Sequence, residues 1–216
     1  NNNSMGKKIF IAAGFLVFIL AILLLIGGER GEIKKSVEES MVSSGLALEV
    51  EAVLSEKIAL ISELVKTSEV IDEVKISNEK SGGLSLNEIL KLDQRWRQAE
   101  GIDDFIRPFL INIVALKLIE FQKTHPEFPE IFITDAYGLN VGQTNKTTDF
   151  YQADEQWWVD AYNEGRGKAF YGEIEFDESA HAEAIALYAP VMDPKTNESV
   201  GVIKAILDIA AIKAGL

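Results

Sequence analysis

Few residues in the chain could carry out catalysis. There are two histidines, His125 and His181, and no cysteine. Ser179 and His181 would share one face of a strand with Asp177 close by, but a hydrolytic triad built from so local a cluster would be unusual. The sequence also lacks an HExxH motif, a nucleophile elbow, a phosphate-binding loop and a GxGxxG motif. We therefore predict no catalytic residue and a region that is not an enzyme.

Acidic residues cluster between positions 173 and 178, where they could ligate a hard cation such as Ca²⁺. The candidates are Glu173, Glu175, Asp177 and Glu178, and their spacing is not that of an EF-hand loop. A solvated acidic edge explains the pattern better. We predict no metal site and no cofactor.

Large aromatic side chains make a small-molecule site the stronger hypothesis. Tyr151, Trp157 and Trp158 lie within eight residues, next to Asp154 and other polar residues. Apolar walls with a few converging polar groups are typical of such pockets. Neighbouring helix positions point about 100° apart, so the two tryptophans cannot face the same way. We expect one to fill the core and favour Trp158 for the pocket.

Five segments have the alternation and the flanking turn residues of β-strands. They are Ile131–Asp135, Leu139–Thr144, Lys168–Glu173, Ala182–Val191 and Ser199–Asp208. Short links join the first strand to the second and the last three to one another, which predicts an antiparallel sheet. We expect a helix from Glu155 to Glu164, capped by Asp154, between the second and third strands. The predicted fold class is α+β.

Four stretches of the sequence carry a family resemblance. They are TDAYGLNVGQTNKTTDFYQADEQWW, Gly165-Arg166-Gly167-Lys168, residues 176–179 and residues 190–204. They resemble the extracytoplasmic Cache domains, PAS-like sensors of bacterial and archaeal histidine kinases, chemoreceptors and diguanylate cyclases. The resemblance spans residues 33 to 210. It implies a PAS-like five-stranded antiparallel sheet flanked by a long N-terminal helix, and a ligand-sensing role.

The resemblance also implies which residues line the pocket. Opposite the aromatic segment it points to residues of the third and fourth strands and of the loop between them. Together with that segment, the predicted ligand-binding residues are Tyr151, Trp158, Trp157, Asp154, Tyr171, Asp177, Ser179 and Tyr188.

The identity of the ligand is a separate question. Cache domains that bind amino acids share a sequence pattern: a Tyr, followed by Arg five positions later, Trp seven later and Tyr eight later. Counted from Tyr151, this chain has Gln156, Trp158 and Val159 at those positions. The arginine that would clamp a carboxylate is missing, so the resemblance does not name an α-amino acid as the ligand.

The N-terminal part predicts a membrane anchor. Residues 9–28 contain no charged residue and provide the roughly 20 apolar positions that cross a bilayer. A cleaved signal peptide is the alternative, but the apolar run is long and has no small-residue cleavage site. Basic residues flank both ends and do not decide the orientation. The Cache resemblance implies an outward-facing domain, so we expect a single anchor in the cell (inner) membrane and an extracytoplasmic location.

Residues 29–130 are expected to be helical and to connect the anchor to the sheet. A helix from Glu29 to about Val74 has apolar residues at the spacing of one helix face. That surface packs on its own domain or forms a homodimer seam along Val37, Met41 and Leu48; we leave both open. The next predicted helix is capped by Ser85, with Glu88 completing a capping box.

Further along, Pro108 is expected to open a helix that reaches Lys123. The predicted layout is a flank (1–8), the anchor (9–28), the helical region (29–130), the Cache core (131–208) and the start of a signalling helix (209–216).

Charge excludes one class of partner. The chain has 34 acidic and 21 basic residues, a formal net charge of −13, which repels phosphate backbones and argues against nucleic-acid binding. We predict a ligand-sensing domain of a membrane-bound signal-transduction receptor whose partners are a small molecule, the membrane and a second copy of the chain. The alternative is a stand-alone anchored small-molecule-binding protein without an output domain.

Overall fold

A computed structural model of the chain describes residues 48–177 and 182–210. Several predictions fall on residues outside these ranges: the membrane anchor at 9–28, Val37 and Met41 of the dimer seam, and Ser179 with His181. Among the described residues, no helix is both long and apolar enough to span a bilayer.

The centre of the fold is a five-stranded sheet with the order β2-β1-β5-β4-β3, in which every neighbouring pair is antiparallel. The strands are β1 (Glu130–Asp135), β2 (Asn140–Gln143), β3 (Phe170–Asp177), β4 (Ala182–Asp193) and β5 (Glu198–Asp208). The predicted α+β class with a five-stranded antiparallel sheet is confirmed, and each predicted strand is present with slightly different ends.

Six α-helices lie within residues 48–177 and pack around the sheet. They are α1 (48–64), α2 (Ser68–Ser81), α3 (Leu86–Gln98), α4 (Pro108–Ile111), α5 (Ile113–Thr124) and α6 (Gln156–Tyr162), which is followed by a 3₁₀ turn at Asn163–Gly165. Helix α6 lies in the connection between β2 and β3, where a helical crossover was predicted. Glu155, rather than Asp154, occupies its N-cap position, without a side-chain cap.

One face of the sheet packs against α1, α2 and α5 and forms the larger core. Because side chains alternate along a strand, every second residue of the central strands points into this core. Its fully buried members include Ile61, Val70, Val74, Val114, Leu118, Ile131, Ile133, Leu187, Ile203 and Ala205.

Polar contacts fasten α2 to the edge of this core. Lys75 donates to Asp193 Oδ2 at the end of β4 across 2.6 Å. Asn78 bridges two elements, since its Nδ2 donates to the carbonyl of Val200 and its Oδ1 accepts from the backbone of Ala136. Helix α2 is therefore held to β4, to β5 and to the β1–β2 turn.

The single helix predicted to run to about Val74 is interrupted. Helix α1 ends at residue 64, and α2 begins at Ser68 after an extended Thr67 with φ −68° and ψ 139°. The Thr67 hydroxyl donates to the carbonyl of Leu64, which gives an unpaired helix-end acceptor a partner. Threonine readily makes such local hydrogen bonds, so the break has a local cause that helical periodicity does not reveal.

The helix predicted from Pro108 to Lys123 is likewise two helices. Asn112 separates them in an extended conformation, with φ −72° and ψ 174°. Its Oδ1 caps α5 by accepting from Ala115 N, while its Nδ2 donates to the carbonyl of Val141. By contrast, the predicted capping box of Ser85 and Glu88 at the start of α3 is confirmed.

Candidate functional site

The sheet face that points away from α1 carries a row of four side chains in register. Phe132 of β1 pairs with Lys204 of β5, which pairs with Tyr188 of β4, which pairs with Phe170 of β3. Residues opposite one another on antiparallel strands project to the same side of the sheet. The strand pairing therefore brings one cation and three aromatic rings together from positions up to 72 residues apart in sequence.

Helix α6 places Trp157 over this row. The Trp157 indole is stacked on the Tyr188 ring, with centres 5.1 Å apart, and meets Phe132 edge-on at 6.0 Å. Tyr188 in turn lies 4.8 Å from Phe170. We call Phe132, Trp157, Phe170, Tyr188 and Lys204 the aromatic–lysine site.

Lys204 provides the positive charge of this site. Its Nζ lies 4.8 Å from the Trp157 ring centre, 5.8 Å from Phe132 and 5.9 Å from Tyr188. Each ring face attracts the ammonium electrostatically, by about 0.5–2 kcal/mol depending on exposure. The three rings hold a charged group beside apolar surface, an arrangement that can bind an anion next to a flat apolar group.

Trp158 points the other way, into the interior. It is only 6% exposed, stacks on Tyr162 at 4.7 Å and donates from its Nε1 to Thr134 Oγ1 across 2.8 Å. The sequence distinguished a core and a pocket tryptophan but favoured Trp158 for the pocket. The structure instead buries Trp158 and sets Trp157 beside Lys204.

Tyr151 and Asp154 lie apart from the aromatic–lysine site. Tyr151 is half-buried and packs against a separate cluster around Trp96 and Phe150, while Asp154 is exposed. Burial raises the pKa of the Tyr151 phenol, and the negative charge of Asp154 raises it further.

Tyr171 lies on the opposite face of the sheet from Tyr188. It pairs with Leu187, packs against the larger core and donates its hydroxyl to Glu51 of α1. This hydrogen bond is the main reason that the pKa of Tyr171 is raised. Asp177 is the last residue of β3, and Ser179 lies outside the described residues.

The structure therefore brings together two of the predicted ligand-binding residues, Trp157 and Tyr188. Trp158 belongs to the same hydrophobic cluster but is buried. Sequence reasoning missed Phe132, Phe170 and Lys204. Their only sequence signal is alternation, since each directly adjoins a residue of the larger core or of its margin. Which residues oppose one another depends on strand register, and the sequence alone did not supply it.

A second polar arrangement joins α3 to the loop after β2. Asp93 Oδ1 accepts hydrogen bonds from the backbone N–H groups of Phe150 and Tyr151, at 2.9 and 3.1 Å. Arg97 donates from Nε to Asp93 Oδ2 at 2.7 Å and lies 3.6 Å from Asp149. Burial raises the pKa of Asp149, an effect that Gln152 and Arg97 oppose. These contacts position the segment that leads into α6.

Asp135 organises the turn between β1 and β2. Its Oδ1 accepts from the backbone of Tyr137 and Leu139, and its Oδ2 accepts from the hydroxyls of Ser77 and Ser81. The side chain is fully buried, and this burial raises the pKa of the carboxyl although all four donors favour the charged form. No group of three or more His, Cys, Asp or Glu side chains within the described ranges could hold a metal ion.

The sequence matches no protein-family model and no curated protein. Solved structures similar to this chain include sensor and ligand-binding domains of histidine kinases and chemoreceptors.

Three of these structures differ in their TM-scores and in the share of each chain that is covered. The sensor domain of the V. cholerae histidine kinase DctB is 14% identical with a TM-score of 0.49, covering 85% of this chain and 60% of that one. The ligand-binding domain of the Pseudomonas fluorescens chemoreceptor CtaA, in complex with L-serine, is 14% identical with a TM-score of 0.49, covering 83% and 62%. The sensor domain of E. coli DcuS is 16% identical with a TM-score of 0.34, covering 59% and 91%. The chain thus spans about three fifths of the length of the first two.

Proposed function

We propose that this chain is the extracytoplasmic ligand-sensing region of a membrane-anchored signal-transduction receptor. The observation that carries the proposal is the aromatic–lysine site, which brings a cation and four aromatic rings together on a sheet face partly covered by α6. The predicted anchor at residues 9–28 and the sequence resemblance to Cache domains support the same function.

The chemistry of the site favours an organic anion. Lys204 places a positive charge beside three aromatic rings, and such a charge attracts an anionic group. Trp157 is half-buried and offers apolar area beside that charge, whereas Tyr188 and Phe132 are buried, at 7% and 3% exposed, and support it. The class of ligand that fits both is a small carboxylate with a flat or apolar body.

The sheet itself provides a physical connection from this site to α1. On β4, Tyr188 lies in the site and its neighbour Leu187 lies in the core against the helices. On β3, Phe170 contacts Tyr188, and its neighbour Tyr171 is hydrogen-bonded to Glu51 of α1. A ligand that prefers one packing of the sheet against α1 would shift the population toward that packing, which is the proposed signal.

Binding to the whole chain tests the proposal. The 216-residue chain in lipid nanodiscs is heated with organic acids, amines, sugars and nucleobases in turn. We expect a carboxylate to raise the melting temperature, because a ligand at about 100 times its Kd adds about 2.7 kcal/mol to the folded state. Lys204→Met should abolish the effect.

Lys168→Met is the matched control. Lys168 is exposed and lies 5.3 Å from the Phe170 ring, at the margin of the site, so its loss should leave most of the effect. Stabilisation by a carboxylate that persists in Lys204→Met, or a response to amines or sugars alone, contradicts the proposed site.

The second candidate is a stand-alone anchored binding protein without an output domain. It has the same site as the proposed receptor and differs from it only in the sequence that the gene encodes beyond residue 216. A second membrane span and a transmitter domain encoded downstream support the receptor, whereas a stop codon supports the binding protein.

A further inference from the structure

Three ionisable side chains meet where α5 leads into β1. Glu127 of this connector contacts Lys57 of α1 and His125, which is the C-cap residue of α5. Lys57 Nζ donates to Glu127 Oε1 across 2.8 Å, and His125 Nδ1 lies 3.4 Å from the same oxygen. A single carboxylate oxygen therefore faces two basic groups.

Glu127 also binds the end of the sheet. Its carbonyl accepts a hydrogen bond at 3.0 Å from the backbone N–H of Asp208, the last residue of β5. The side chains of Lys57 and Glu127 are only 23% and 15% exposed, so solvent screens their ion pair less than it screens a surface pair. Glu127 thus joins β5 to α1, the described helix nearest in sequence to the predicted anchor.

The Glu127 carboxyl is ionised well below neutral pH. Partial burial alone would raise its pKa, but hydrogen bonds from Lys57, the backbone and His125 and the charge of Lys57 together lower that pKa below the ordinary value of 4.5. Histidine is the side chain that ordinarily changes charge between pH 5 and 8. Acidification across this range therefore acts on the cluster through its imidazole.

The surroundings of His125 suit a group that gains a proton. Its side chain is 30% exposed, so it exchanges protons with solvent, and its ring lies 4.4 Å from the ring of Phe121. The C-terminal end of a helix favours a positive charge. The charged residues that come next on the adjoining elements are Lys123 in the last turn of α5 and Asp208, whose Oδ1 accepts from the backbone of Ala210.

We propose that Lys57, His125 and Glu127 form a pH-sensitive latch between α1 and the sheet. With a neutral imidazole, the carboxylate pairs with Lys57 and holds α1 in place. On acidification, the imidazolium donates to Glu127 Oε1 and repels the ammonium group of Lys57, so the hold on α1 weakens. The latch is separate from the aromatic–lysine site and does not depend on the ligand proposed for that site.

Replacing Lys57 at two pH values tests the latch. Urea unfolding of the full chain in nanodiscs gives the factor by which Lys57→Met lowers the folding equilibrium constant. We expect a factor of about three or more at about pH 8, reduced by at least about half at about pH 5.5. In the His125→Gln background, the factor should be the same at both pH values. His181→Gln, which replaces the chain's other histidine, is the matched control and should keep the difference.

An NMR titration follows the same proton directly. The ring resonances of His125 and the carboxyl carbon of Glu127 should shift with a common midpoint between about pH 5 and 8, and the Glu127 shift should be absent in His125→Gln. Lys204→Met should change none of these results, which separates the latch from the proposed receptor site. If Lys57→Met does not fold, Lys57→Gln gives the same comparison. An equal or larger loss in acid, or a pH dependence that persists in His125→Gln, would overturn the proposal.

Discussion

The indole of Trp157 lies nearly parallel to the phenol ring of Tyr188, at an interplanar angle of 14°. This stack joins α6 to β4, although the two residues are 31 positions apart in sequence. It also fixes the indole next to Lys204. The neighbouring Trp158 instead stacks on Tyr162 and donates a hydrogen bond to Thr134 in the interior. Two adjacent tryptophans thus have separate roles.

Replacing each tryptophan by alanine should reveal this division. Trp158→Ala removes a nearly buried ring and a hydrogen bond to Thr134, so we expect the free energy of unfolding to fall by about 3–5 kcal/mol. Trp157→Ala removes a half-buried ring and should cost less than about half of that. Urea unfolding followed by far-UV circular dichroism measures both, and ligand binding should be lost in Trp157→Ala. Equal losses of stability would contradict the assignment.

The sequence predicted the elements of the fold better than it predicted the site. Alternation and turn residues located the five strands, and the Ser85–Glu88 pair located the start of α3, because these signals are local. The breaks at Thr67 and Asn112 depend on side-chain hydrogen bonds, and one of the two that Asn112 makes is to Val141 on a distant strand. Helical periodicity continues through both positions and does not reveal them.

The site was also predicted only in part, and the reason differs from the one that hid the helix breaks. Trp157 was predicted from a local cluster of large aromatic residues, and Tyr188 from the resemblance to Cache domains. Lys204 has no distinctive local context, and its place beside Phe132 and Tyr188 is set by the registers of β1, β4 and β5. A shift of one residue would have turned it toward the helices.

Gly138 and Gly101 form a matched pair for a test of turn strain. Both have positive φ, +77° and +87°, but a Cβ at Gly138 would lie 2.5 Å from Ala153, whereas a Cβ at Gly101 would meet nothing within 4 Å. Gly101→Ala should therefore cost about 1–2 kcal/mol for the left-handed backbone alone. Gly138→Ala should cost about 1–3 kcal/mol more because of the clash. Urea unfolding of the two variants gives the difference, and similar losses would show that the turn relaxes freely.

Asp93 should contribute more to stability than its ion-pair partner. Asp93→Ala leaves the N–H groups of Phe150 and Tyr151 without their acceptor, and we expect a loss of about 2–4 kcal/mol. Arg97→Met keeps that acceptor and removes an ion pair from a side chain that is 51% exposed, so the loss should be below about 1 kcal/mol. Hydrogen exchange at Phe150 and Tyr151 should accelerate in Asp93→Ala only. Comparable losses of stability in the two variants would show that the ion pair between Asp93 and Arg97, and not the hydrogen bonds from Phe150 and Tyr151, provides most of the stabilisation.

The buried carboxyl of Asp135 should make stability depend on pH in a predictable direction. Its pKa is raised above the ordinary value of 3.8, mainly by burial, so the folded state keeps a proton that the unfolded state has already lost. Over the window between the unfolded and folded pKa values, this carboxyl therefore lowers the free energy of unfolding as the pH rises. Other carboxyls contribute slopes of the opposite sign, so the informative quantity is the difference between wild type and Asp135→Asn, in which this contribution is absent.

Across that window, the stability of wild type relative to Asp135→Asn should decline as the pH rises, and it should be constant above it. Ser81→Ala provides an independent check, because it removes a hydroxyl that lowers this pKa by donating to Oδ2. The window should therefore extend to higher pH in Ser81→Ala. The carboxyl carbon resonance of Asp135 reports the folded pKa directly by NMR titration. A folded value below 3.8 would show that the four donors outweigh burial and would reverse the sign of the slope.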